Sequence, residues 1–120
     1  MIYLAITTIS AEHAAAFARR LVEDGLAACV NIVPGVRSIY RWEGKLCDDA
    51  EVVLLIKTSP RTVGGFEERF LALHPYTTPE LLLIPVEEGL KSYFEWVEEV
   101  CGPQPPAPDE DSAARDLEKR

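Results

Sequence analysis

Basic charge is what this 120-residue chain is short of. Twelve Lys and Arg stand against 20 Asp and Glu, a net charge of −8. Nucleic-acid binding depends largely on neutralising phosphates, so the deficit argues against such a partner. No RNP-type aromatic motif offsets it. Cysteine is scarce as well: Cys29, Cys47 and Cys101 are the whole supply. An odd number without close spacing does not build a disulfide framework, and neither a CxxC motif nor a Cys/His zinc spacing is present. Reduced thiols are expected. No apolar run approaches the roughly 18–20 residues needed to cross a bilayer. The start, Met1-Ile2-Tyr3-Leu4, lacks the basic region and cleavage site of a signal peptide. These absences predict a cytoplasmic protein with no nucleic-acid and no membrane partner. Catalytic motifs are missing too. His13 and His74 are the only histidines, and neither accompanies a G-x-S-x-G nucleophile motif. There is no phosphate loop and no dinucleotide fingerprint. The expectation is a protein that is not an enzyme.

Apolar residues make up 48% of the chain, enough to fill one core. The organising stretch is residues 27–58, which reads as one long β-hairpin. Its first arm runs Ala27–Trp42, with a break at Pro34-Gly35. Its second runs Leu46–Thr58. Between them lies Trp42-Glu43-Gly44-Lys45, whose glycine can take a positive φ. The second arm holds Val52-Val53-Leu54-Leu55-Ile56. Successive strand side chains face opposite sides, so this run puts apolar groups on both faces. Both faces therefore need cover.

Ahead of the hairpin, residues 2–8 read as a strand. Ser10 then caps a helix whose Ala14, Phe17, Ala18 and Leu21 share one face, and Gly25 ends it. After the hairpin, Ser59-Pro60 opens a second helix with Val63, Phe66, Phe70 and Leu73 as its stripe. Gly64-Gly65 either weakens that helix or permits close packing. His74-Pro75 stops it. Residues 80–86 form another strand, with Pro85 pointing to an edge or a bulge. A last helix over 89–101 carries Leu90, Phe94, Val97 and Cys101 on one stripe and Tyr93, Trp96 and Val100 on a second, so it is sandwiched. From Gly102 the composition turns to proline and then to charge, which reads as a disordered tail over 102–120. The order β-α-β, β-α-β, helix predicts an α+β, ferredoxin-like (split β-α-β) antiparallel sheet in a single domain, 1–101. Two helices cover one sheet face. The arms are also long, roughly 40–50 Å. Self-association is the economical way to bury the rest.

Three stretches then stand out together: Leu26-Ala27-Ala28-Cys29-Val30-Asn31-Ile32-Val33-Pro34-Gly35; Ser38-Ile39-Tyr40-Arg41-Trp42-Glu43-Gly44-Lys45 with Glu51 and Ile56-Lys57-Thr58; and His74-Pro75-Tyr76-Thr77-Thr78-Pro79-Glu80-Leu81. In order and spacing they resemble the CutA family, the divalent-cation tolerance proteins, over about residues 2–101. The resemblance implies a compact homotrimer similar in architecture to PII signalling proteins. It also implies binding of divalent cations, with copper, Cu(II), as the plausible ion.

On that basis His74 is the first metal candidate, since neutral imidazole suits copper and zinc. The plain alternative is a histidine at a helix C-terminus. Cys29 is the second, as a soft ligand or as a small core hydrophobe among Ala27, Ala28 and Val30. Two family features are missing: Ile6-Thr7 stands where a first-strand cysteine would be, and Leu73 rather than a second histidine precedes His74. Tyr40, Trp42 and Tyr76, with Lys57, Glu51 and Glu80, either line an inter-subunit pocket or anchor an interface. Glu43, Asp48 and Asp49 read as a hard-cation cluster or as a solvated loop. Cys47 is an exposed thiol near the hairpin tip, and Cys101 is helix packing. Two functions follow: a divalent-cation (copper) tolerance trimer, or a PII-like signalling or scaffold trimer with a small metabolite in its inter-subunit cleft.

Overall fold

The computed structural model describes residues 1–102, apart from the side chain of Val63. Val63 in the second helix's stripe, and the expected tail from residue 103 onward, lie outside the described residues. The elements are β1 (Ile2–Ile9), α1 (Ala11–Glu23), β2 (Cys29–Trp42), β3 (Lys45–Thr58), α2 (Pro60–Leu73), β4 (Leu82–Val86) and α3 (Lys91–Val100). The four strands make one antiparallel sheet in the order β2-β3-β1-β4. The α+β expectation holds. Among the described residues no helix is long and apolar enough to cross a membrane.

The hairpin forms as its sequence requires. Glu43 and Gly44 both take positive φ, 50° and 78°, which is the two-residue turn whose twist matches paired strands. The pairing runs from Cys29↔Lys57 to Trp42↔Lys45 and slips once, between Val33 and Val36. Pro34 has no amide to give the ladder, and Gly35 has φ 76°. The break is therefore a bulge.

Directly opposed residues share a face. Ala5, Ile9, Val52, Leu54 and Ile56 meet Ala14, Phe17 and Leu21 of α1 and Phe66 and Phe70 of α2 in one buried core. Each large apolar side chain buried there contributes about 1.5–3 kcal/mol. The opposite face carries Leu4, Ile6, Val53, Leu55, Leu82 and Ile84, placed together by the register. None of these six is fully buried, and Leu82 is 53% exposed. The long apolar run of β3 is thus half covered within one chain.

Some local readings are corrected. Ser10 stands at the N-cap of α1, but its hydroxyl makes no bond to a helix amide. It lies 2.7 Å from His13 Nδ1 instead. Ser59 does cap α2, accepting from the Arg61 amide at 3.2 Å. A Cβ built on Gly64 or Gly65 would meet nothing within 4 Å, so no close packing within the chain needs this pair. β4 begins at Leu82 rather than 80. Among the described residues it is an edge strand that pairs with β1 alone, where Pro85 is tolerated. Leu90 precedes α3 and is 73% exposed, so it belongs to no buried stripe. Val97 and Cys101 are buried with Ile2 and Ala28, and Tyr93, Phe94 and Trp96 pack around them.

Candidate functional site

The hairpin face that carries the site follows from period two. Ser38 opposes Asp49, Tyr40 opposes Cys47 and Val36 opposes Glu51, so Tyr40, Trp42, Asp49 and Glu51 project on one side. Tyr40 and Asp49 are diagonal neighbours there, close enough for side chains to meet. The Tyr40 hydroxyl donates to Asp49 Oδ2. That bond, then burial and the carboxylate's charge, push the phenol up to about 12. Asp49 is a strand residue of β3, not part of a loop. Asp48 faces the other way and takes a forked pair of bonds from Arg37, 2.8 and 2.7 Å long.

The second wall comes from the segment after α2. Pro75 prevents the helix from continuing, and His74 leaves it in extended conformation with ψ 136°. Its imidazole is buried among the rings of Phe17, Phe70 and Tyr76, with centroids 5.0, 5.3 and 4.8 Å away. The Tyr76 amide lies 3.1 Å from Nδ1. An amide can only donate, so Nδ1 is unprotonated and the ring proton sits on Nε2. From there it reaches the Thr8 carbonyl at 3.1 Å. Thr7 Oγ1 lies 3.4 Å from the same nitrogen. Burial holds the ring's pKa below its ordinary value, against the opposing pull of the Thr8 carbonyl and the Glu51 charge. His74 is therefore a neutral clamp that fixes the loop to β1.

The clamp aims Tyr76. Its hydroxyl donates to Glu51 Oε2 at 2.6 Å. Burial first, and then this bond, raise its pKa. Hairpin and loop thereby enclose a cleft of about 860 Å³, with Thr8 and Ser10 also on its wall. That volume suits a small molecule.

The structure brings together Tyr40, Trp42, Tyr76, Glu51 and Glu80 of the expected pocket and adds Asp49. Lys57 is not among them. It lies roughly 20 Å along β3 from Glu51 and donates to Asn31 Oδ1. The two metal candidates are also apart in one chain. His74 rests on Thr8, while Cys29 lies across Lys57 from Leu4, roughly 13 Å up β1. Cys29 is buried. Both ring nitrogens of His74 are engaged, so a metal there would have to displace the Thr8 or Tyr76 contact. Among the described residues no group of three or more His, Cys, Asp or Glu could hold a metal ion. The role of Asp49 was missed by sequence reasoning. Its signal was the even spacing from Glu51 and the opposition to Ser38.

A family model described as CutA1 divalent ion tolerance protein matches residues 2–100. The divalent-cation tolerance protein CutA of Thermus thermophilus is 50% identical over 97 residues, covering 81% of this chain and 94% of that one. The CutA homolog of Xenopus laevis is 46% identical over 83 residues, and the match covers 69% of this chain but only 55% of that longer protein. Among solved structures, the PII-like protein CutA from Nostoc sp. PCC 7120, in apo form, is 38% identical with a TM-score of 0.79, over 85% of this chain and 99% of that one. Matches of this extent and identity show that the chain belongs to the CutA1 family of divalent ion tolerance proteins.

Proposed function

We propose that this chain forms a cytoplasmic, non-enzymatic homotrimer of ferredoxin-like subunits that binds a small ligand in the Tyr40–Trp42–Tyr76 cleft, in the manner of a PII-like signalling or scaffold protein. The observation that carries the reading is the pair of tyrosine–carboxylate bonds, Tyr40 to Asp49 and Tyr76 to Glu51. They order two separate segments around one concavity of ligand size. The strand order, β2-β3-β1-β4, supports the ferredoxin-like assignment. Trimer formation is supported by the uncovered face with Leu4, Leu55 and Ile84, and by the PII-like description of the Nostoc relative. Cytoplasmic residence rests on the sequence alone. The test is a thermal-stability screen of small metabolites in metal-free buffer. The expected result is a hit whose stabilising effect disappears in Trp42→Ala. Stabilisation by no compound, or equal stabilisation of the variant, would defeat the reading.

A second reading is favoured by the family description and by the carboxylates on the cleft wall. Here the trimer binds a divalent cation such as Cu(II) as its cargo. The described residues of one chain do not supply a full donor set, so in this reading ligands come from more than one subunit. A calorimetric Cu(II) titration against glycine as a weak competitor decides it, with His74→Ala and Cys29→Ser beside the parent protein. A stoichiometric site lost in either variant supports this reading. Weak, unsaturated uptake identical in all three proteins sinks it.

A further inference from the structure

We infer that the ligand of this cleft is a small organic cation, an alkylammonium or amine, held between carboxylates and aromatic faces. The inference deepens the cleft reading above and rests on it. The cleft wall carries Asp49, Glu51 and Glu80 together with Tyr40, Trp42 and Tyr76, and among the described residues it carries no Lys, Arg or His. Of the hairpin's four bases, Arg37 and Arg41 are turned to the opposite face, while Lys45 and Lys57 share the cleft's face without lining it. Arg37 is on the opposite face, forked onto Asp48. Arg41 shares that opposite face by strand alternation. Lys45 opposes Trp42 at the turn, outside the wall. A phosphate or carboxylate ligand would thus enter against three like charges, with no counter-charge on the wall from the described residues of the same chain.

The carboxylates are also left with capacity. Each tyrosine hydroxyl donates to a single oxygen, Oδ2 of Asp49 or Oε2 of Glu51. An ionised carboxylate accepts at both oxygens, so N–H donors of an ammonium group can still be taken. Glu80 is exposed and, among the described residues, has no ion pair. The aromatic faces decide between an organic cation and a metal ion. Indole and phenol rings attract an ammonium group within about 6 Å of the ring centre. They are poor ligands for a divalent metal ion, which takes oxygen, nitrogen or thiolate donors. The acids are not gathered closely enough to hold an ion among the described residues. A volume of about 860 Å³ also suits a molecule rather than an ion.

The experiment is isothermal titration of the full-length protein at low salt with three probes: 1,4-diaminobutane, Mg²⁺ and ADP. Each is run on the parent protein, Glu80→Gln, Trp42→Ala and the distant surface control Glu67→Gln. The expected result is saturable diamine binding at one site per chain, weakened at least tenfold in Glu80→Gln and Trp42→Ala and unchanged in Glu67→Gln, with no saturable binding of ADP. Unsaturated diamine uptake that is equal in all four proteins reflects attraction to an acidic surface and overturns the inference. Binding of ADP that needs Trp42, without binding of diamine, overturns the charge assignment and leaves the cleft reading standing. Binding of Mg²⁺ that needs Glu80 but not Trp42, without binding of diamine, overturns the organic cation in favour of a metal. If no probe depends on Trp42 or Glu80, both the inference and the cleft reading fall. The substituted side chains are exposed in the single chain, and light scattering and thermal melts of each variant beside the parent separate loss of folding or assembly from loss of binding.

Discussion

The Tyr76 hydroxyl donates to Glu51 Oε2 at 2.6 Å, joining the segment after α2 to the second strand of the hairpin. The bond links residues 25 apart in sequence, and it closes the cleft on one side. Tyr76→Phe keeps the ring against His74 and deletes only the donor. A hydrogen bond to a charged group contributes about 1.5–3 kcal/mol, and partial solvent access lowers the expected loss to about 1–2 kcal/mol. For a domain of this size that is a fall in Tm of several degrees at fixed protein concentration. A double-mutant cycle with Glu51→Gln checks the cause, because the second substitution should then cost little more. Full additivity would show that the bond does not link the two segments.

Tyr40 makes the matching contact within the hairpin. Its phenol is pushed up from 10.0 to about 12, first by donation to Asp49. A raised phenol pKa favours the neutral, folded form below pH 10, and that preference is lost as pH climbs from about 10 to about 12. Ultraviolet titration of the phenolate should show one tyrosine ionising near pH 12 that moves back toward 10 in Asp49→Asn. An unchanged titration curve in that variant would separate the two side chains.

His74 gives a pH dependence of the opposite sense. Burial lowers its pKa from 6.5. The unfolded chain therefore takes up the proton first as pH falls. Full stability is present above about 6.5 and is lost as pH falls from there toward the folded value. The slope contributed by one such group is at most about 1.4 kcal/mol per pH unit. Denaturant titrations between pH 7.5 and 5 should show this slope in the parent protein and a shallower one in His74→Gln. Proton NMR of the His74 ring should place its midpoint below 6.5. A midpoint at or above 6.5 would contradict the buried, neutral clamp.

These three residues also show how far the sequence could be read. The helices α1 and α2 were legible because Phe17, Leu21, Phe66 and Phe70 recur at helical spacing and all fall in one core. The hairpin was legible from Glu43-Gly44 and from the two-sided apolar run of β3. The role of His74 was not. A histidine before Pro-Tyr reads equally as ligand or clamp until the Thr8 carbonyl, far off in sequence, is seen to accept a hydrogen bond from its Nε2. Asp49 was misread for a similar reason. Its use depends on strand alternation persisting to the hairpin tip, where the composition looks like a loop. Leu90 shows the converse error, since the helical spacing ran one residue beyond the start of α3.

Gly64 and Gly65 lie inside α2, where each costs about 1 kcal/mol relative to alanine. A Cβ at either position meets nothing within 4 Å, so no clash opposes the change. Gly64→Ala and Gly65→Ala should each stabilise the protein by about 0.5–1 kcal/mol, read as a rise in Tm. Destabilisation by either would mean that another subunit packs against this helix.

The uncovered sheet face tests the assembly. Ile84 lies on β4 opposite Leu4, on the side away from α1 and α2, and is 41% exposed in the single chain. In a monomer, Ile84→Asp would be a surface change worth within about 0.5 kcal/mol. In a trimer packed through this face, it would bury an unpaired carboxylate, at a cost of several kcal/mol per subunit. Light scattering should then give the mass of three 13.3 kDa chains for the parent protein and a shift toward a single chain for the variant. The large loss is expected, because β4 presents Leu82 and Ile84 side by side with Leu4 and Ile6. An apolar patch of that kind is seldom left open to water. A parent protein with the mass of one chain, and a variant of unchanged stability, would remove the trimer and would leave the cleft to be closed by hairpin and loop alone.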